Sequence, residues 1–172
     1  AVALYLYGLN LFAKREVDLS DLDMDFSYEK FIYFSFIWLF IAELAWSGFA
    51  VYEALSGTTV PHALVGSYRH AITVGFISMM IFGYASRIFP VFTGEELRFP
   101  KATNATFWLV AAGNTMRVLF QPIAVFTGKG VFFALMASSS VLEVAGLALF
   151  SVNIWLTVQK AQHAMLETPA AS

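Results

Sequence analysis

RHAITVGFISMMIFGYASRIFPVFTG, residues 69–94, is the stretch on which the fold turns. Past the opening Arg69-His70 pair its one formal charge is Arg87, and the run closes on Pro90 and Gly94. A hydrocarbon core of ~30 Å takes ~20 helical residues to cross, and the apolar part, about Arg69 to Phe92, is long enough. Pro near its end and Gly just beyond are helix-stop signals. Three more such runs flank it: Phe31 to Leu55, Ala105 to Phe126 and Val131 to Val158. The connections carry Gly, Pro and charge: Ser56-Gly57 with Pro61, then Gly94 to Lys101, then Thr127-Gly128-Lys129-Gly130. Inside a bilayer each backbone N–H and C=O must be satisfied within the segment, which selects helices. Four spans on short loops then give an all-α, transmembrane, antiparallel four-helix bundle over residues 31–160. Residues 1–30 are predicted to be an apolar segment and an acidic cytoplasmic loop, and residues 161–172 a cytoplasmic tail.

Composition supports a membrane setting. The chain is 59% hydrophobic and 13% charged, against about half and about a quarter in an ordinary soluble domain. Its mean hydropathy is +0.69. A net charge of −2 without a basic patch offers nothing to nucleic acid. The absence of cysteine excludes disulfides, iron–sulfur clusters and thiolate zinc sites. Ala1 to Ala13 is apolar, too short to span, and lacks a signal peptide's basic leader and small-residue cleavage site. It reads either as the last half of a further helix or as an interfacial helix. Lys14, Arg15, Lys30, Arg98, Lys101 and Lys160 fall on one side of the spans and only Arg69 and Lys129 on the other. The positive-inside rule then predicts both termini in the cytoplasm.

Ionisable groups inside the spans are costly there and normally face the bundle interior. Glu43 and Glu143 lie near the middle of spans one and four, Arg117 a little past the middle of span three, and Arg87 in the cytoplasmic third of span two. At ~1.5 Å per residue Arg117 and Glu143 come to similar depth and are the first-choice intramembrane pair. Two roles stand for it: fixing helix register, or holding a charged cofactor group and relaying protons. Arg117 and Arg87 suit propionates or another anion, and Glu43 either joins the pair or stays protonated. Asn114, one turn before Arg117, reads as interhelical packing glue. Of the histidines, His163 sits in the polar tail, His62 in the external loop beside Pro61, and His70 opens span two. His70 is the candidate ligand for iron or copper, with His62 as a second metal candidate and a membrane-interface histidine as the plainer reading. Gly75 and Gly83 let a helix or a flat ring approach closely. No Walker loop, dinucleotide fingerprint, nucleophile elbow or zinc-protease motif is present, so the chain by itself is not expected to be an enzyme.

The run from Arg69 to Gly94 resembles the C-terminal half of NnrS-like membrane proteins, themselves akin to subunit-I-like proteins of haem–copper oxidases. The likeness rests on His70, Ala71, Thr73, Val74, Gly75, Met80, Gly83, Arg87 and Pro90, and continues in GNTMRVL, Gly113 to Leu119. It covers about Phe31 to Val158. The resemblance implies a polytopic protein of the prokaryotic inner membrane that binds haem b, or less readily copper, and is linked to nitric oxide stress or respiration. His70 matches a motif histidine, and Arg87 and Arg117 match motif arginines. A second axial ligand would have to be His62, a partner chain or sequence preceding Ala1.

The leading expectation is an integral membrane subunit of a larger respiratory or photosynthetic electron-transfer assembly, contributing a haem site through His70 and partnered by other membrane subunits and the bilayer. One alternative is an NnrS-like haem or copper protein of the nitric oxide response. Another is a non-catalytic subunit holding lipid, quinone or pigment. A transporter fits less well, because there are four spans without an internal repeat or broken helix.

Overall fold

The computed structural model describes residues 28–167, together with Gly8. Its described core is four long helices: α1 (Glu29–Ser56), α2 (His62–Thr93), α3 (Pro100–Thr127) and α4 (Gly130–Glu167). All four are long and apolar enough to cross a bilayer, as the sequence predicts. Apart from Gly8, the apolar stretch Ala1–Ala13 lies outside the described residues, as does the acidic loop before Tyr28.

The ends follow local chemistry. α1, α2 and α3 each stop at a glycine with φ near +66° (Gly57, Gly94 and Gly128), a conformation that disfavours a Cβ. Each of these N–H groups donates to a carbonyl four residues back, on Glu53, Pro90 and Ala124. Pro100 opens α3 at a position whose N–H has no helical partner. Two boundaries differ from expectation. α2 begins at His62 rather than Arg69, because Pro61 ends the loop and the polar turn His62–Tyr68 is already helical. α4 runs through Glu167, so residues 161–167 of the expected tail are helical.

α1 packs on α2, α2 on α3, and α3 and α4 form the most extensive pair. Two short connections at one end (the upper end, Gly57–Pro61 and Gly128–Lys129) and one at the other (the lower end, Gly94–Phe99) make neighbours antiparallel. Lipid gives helices no hydrophobic reason to associate, so close packing must hold them. A Cβ on Gly113 would stand 2.9 Å from the Ser139 carbonyl oxygen, and one on Gly146 2.6 Å from Val110. In the lower half Phe31, Met79, Phe82, Phe107 and Val110 form one core cluster, with Phe31 edge-on to Phe107 at 5.1 Å. Higher up, Trp38, Ala42 and Ala71 form a second. The outward faces carry Leu44, Val91, Phe92, Trp108 and Val141 exposed, the surface that a helix presents to lipid.

Candidate functional site

α2 is not a uniform helix. Between His62–His70 and Met79–Thr93, which are α-helical, Ala71–Ser78 winds as a π-helix. The Met79 N–H reaches back to Val74 O, and Ser78 Oγ donates to Thr73 O at 2.9 Å, both five residues back. Such segments are rare and gather at functional sites. The consequence here is geometric. Residues five apart would diverge on an α-helix, but the wider winding brings His70 and Gly75 towards one face.

That face meets a polar stripe on α3. Asn114, Arg117 and Gln121 are spaced three and four residues apart, one per turn on one side. They pair in antiparallel order with Gly75, His70 and Gly66. A Cβ on Gly66 would run into the Gln121 amide, and one on Gly75 would stand 2.6 Å from Asn114 Nδ2. At the middle rung the Arg117 charge acts on His70. α1 contributes Trp38, whose Cγ lies 2.5 Å from the place a Gly75 Cβ would take. α4 contributes Glu143, which packs on Gly113 and feels the same Arg117 charge. Four helices thus converge on one polar locus in the upper half of the bundle.

The polar atoms there are left without partners. Trp38 Nε1, His70 Nδ1, both amide atoms of Asn114, Arg117 Nε, Gln121 Oε1 and Glu143 Oε1 are all buried without a hydrogen bond. Asn114 is fully buried and Trp38 is 5% exposed. The expected Arg117–Glu143 pair is not made at bonding distance among the described residues. The guanidinium instead donates from Nη1 to the Met136 carbonyl at 3.5 Å, and its charge reaches Glu143 from farther away. Glu43 is half-buried on α1 and makes no polar contact among the described residues.

Two sequence candidates stand apart. Arg87 is seventeen residues along α2 from His70, roughly 25 Å of helical rise. It lies at the lower end, where Nη1 donates to the Tyr28 hydroxyl and the guanidinium stacks 5.0 Å over the Tyr28 ring. His62 is exposed and precedes His70 by eight residues on the same helix, about 12 Å of rise. A haem ligated by both would have to pass through α2, so His62 is not placed as its second axial ligand. Conversely, Trp38 and Gln121 carry no functional signal in sequence, and there Asn114 reads as packing. The spacing 114, 117, 121 was the available clue, and Gly66 the complementary one.

A four-span helical membrane protein with a polar locus between its helices is the class this geometry defines. Residues 28–161 match the family model described as NnrS protein, and the chain belongs to that family. No curated protein and no solved structure matches it.

Proposed function

We propose that the chain acts as the haem-binding membrane protein of the nitric oxide response that its family resemblance implies, with His70 as axial ligand. The observation carrying this reading is His70 itself, whose buried Nδ1 lacks a partner beside the cationic Arg117, where α2 turns from α- to π-helix. The donor set suits a single-histidine haem: one imidazole at the middle rung of the polar stripe, and a guanidinium within reach for an anionic propionate. It suits copper less well, since among the described residues no three His, Cys, Asp or Glu side chains come together. Haem, when bound, would supply the redox and gas-binding chemistry. The chain's own residues would orient His70 against α3, balance propionate charge through Arg117, and pack the α1 side of the site with the Trp38–Ala42–Ala71 cluster. Family membership puts this reading ahead of a respiratory or photosynthetic subunit. The topology proposed with it has the lower end and both termini in the cytoplasm and His70 nearer the outer face.

A reduced-minus-oxidised optical spectrum of the purified full chain tests the reading. The expected result is a Soret band that His70→Ala abolishes and His62→Ala leaves in place. A colourless protein, or a band that survives His70→Ala, overturns it.

A further inference from the structure

The paired stripes described above form a ladder with a direction. Gln121 is half-buried near the upper end of α3, Arg117 is half-buried one turn deeper, and Asn114 is fully buried below it. From Gln121 to Asn114 is about 10 Å of rise. Every rung exposes at least one buried polar atom without a protein partner, and both atoms of the Asn114 amide are in that state. In a bilayer interior each such group costs roughly several kcal/mol, so seven together are untenable if the locus is dry. Donors and acceptors are mixed: Trp38 Nε1 and Arg117 Nε offer hydrogens, while Gln121 Oε1 and Glu143 Oε1 accept them. Neither an anion nor a cation satisfies both kinds. Water does, because each molecule donates twice and accepts twice.

We propose that this ladder holds a chain of water molecules entering from the upper end and ending at Glu143, whose carboxyl exchanges its proton along that chain. In the lower half Ser86 Oγ is a further buried atom without a partner, but the described residues between it and Asn114 form no polar stripe. Below Asn114 the interior is the Phe31, Met79, Phe82, Phe107 and Val110 cluster, with Phe150 against it. The path is therefore a half-channel open to one side. The exchange is balanced. The Glu143 O–H bond breaks towards the nearest water, a proton leaves at the upper end, and the reverse sequence restores the acid. Among the described residues the one charge acting on Glu143 is that of Arg117 on α3, and His70 on α2 feels the same guanidinium. Arg117 makes the middle of the ladder positive, so protons pass it on water rather than resting there. The glycines leave these amides their space, since a Cβ at Gly66 would meet the Gln121 amide and one at Gly75 the Asn114 amide and Trp38. None of this depends on haem, and it would hold in a chain that binds no pigment.

The test uses the full chain in phosphatidylcholine vesicles, followed by infrared spectroscopy as the buffer is changed from H2O to D2O. A protonated-carboxyl band that Glu143→Gln removes and Glu43→Gln keeps is expected at acidic pH, and its deuterium shift reports exchange. Gln121→Leu and Asn114→Leu each place a dry side chain in the path and should slow that shift roughly tenfold or more. Ser86→Ala, in the lower half, should leave it unchanged. If Asn114→Leu does not fold, Gln121→Leu at the half-buried rim decides alone. The proposal is overturned if no band depends on Glu143 at any pH the protein tolerates. It is equally overturned if exchange in Gln121→Leu is as fast as in the parent.

Discussion

Asn114 on α3 and Asn153 on α4 are the same residue type at nearly the same burial, fully buried and 2% exposed, and their surroundings could hardly differ more. Asn153 uses its whole amide. Oδ1 accepts the Phe99 N–H at 2.9 Å, and Nδ2 donates to Phe99 O at 3.1 Å and to Thr103 Oγ1 at 3.3 Å. Thr157, one turn on, accepts the Arg98 N–H and donates to the Asn153 carbonyl. Together they fasten the Gly94–Phe99 connection to α4. Asn114 makes no hydrogen bond through its side chain. The lesson is that burial alone does not say what a polar residue is for. A satisfied amide facing a connection holds that loop, whereas an unsatisfied one in the membrane interior marks a place where something other than protein belongs.

The sharpest way to break this comparison is to remove the amide at the satisfied site. Asn153→Leu strands both the N–H and the C=O of Phe99 and frees the connection from α4. Leaving buried backbone groups unpaired should cost about 2–4 kcal/mol. The expected outcome is a large drop in the midpoint of thermal unfolding in detergent, with protease sensitivity appearing at Gly94–Phe99. If the midpoint holds, Asn153 is not a clamp.

Second in size is Gly75→Ala. The new Cβ would meet Trp38 Cγ at 2.5 Å, Asn114 Nδ2 at 2.6 Å and Trp38 Cβ at 2.9 Å. Trp38 cannot swing away on its own, because its Cβ is already in the clash, so α1 must shift on α2. Overpacking of this kind costs about 1–3 kcal/mol. Gly48→Ala is the control, since nothing lies within 4 Å of a Cβ there, and it should not lower the midpoint. Equal losses in both would mean that Gly75 is tolerated for its backbone rather than for the space it leaves.

Much of this was legible before any coordinates. The four spans follow from length and hydropathy, and the glycines that end three of them stand where the turn signals put them. The polar residues inside the spans were visible as anomalies. What hydropathy cannot supply is which of them share a face once a helix departs from its regular winding. Ala71–Ser78 has the composition of any apolar helix segment, and nothing in it announces the wider winding that brings Gly75 towards the face of His70. The same blindness produced the Arg117–Glu143 pair, for matching depth fixes height along the bundle but not the direction of a side chain. Arg87, which the sequence offers as an anion holder in the cytoplasmic third of the span, is held there by Tyr28. His62 reads as a loop histidine free to approach His70 only if α2 starts at Arg69, whereas the helix begins at His62 itself.

Asn114→Leu should produce a smaller change than either preceding variant, and of opposite sense to Asn153→Leu. It removes two buried atoms that have no protein partner and strands no protein group, and such a replacement is nearly neutral or stabilising. The expected midpoint lies within about 1 kcal/mol of the parent, on the stable side. A loss as large as that of Asn153→Leu would show that the Asn114 amide has protein partners, and the contrast between the two asparagines would collapse.

Lys160→Gln should have the smallest effect, and it separates two accounts of the lower end. Lys160 Nζ stands 2.5 Å from Glu95 Oε2, bridging the same connection that Asn153 holds. Both side chains keep solvent access, 43% for Lys160 and 25% for Glu95. Water and salt therefore weaken their attraction, and exposed pairs of this kind contribute roughly 0.2–1 kcal/mol. The variant should lower the unfolding midpoint slightly at low ionic strength and indistinguishably from the parent at high salt. The hydrogen bonds of Asn153 are buried, so the loss in Asn153→Leu should persist at both salt concentrations. If Lys160→Gln instead matches Asn153→Leu, and salt erases both, charge rather than the buried amide fastens the connection to α4.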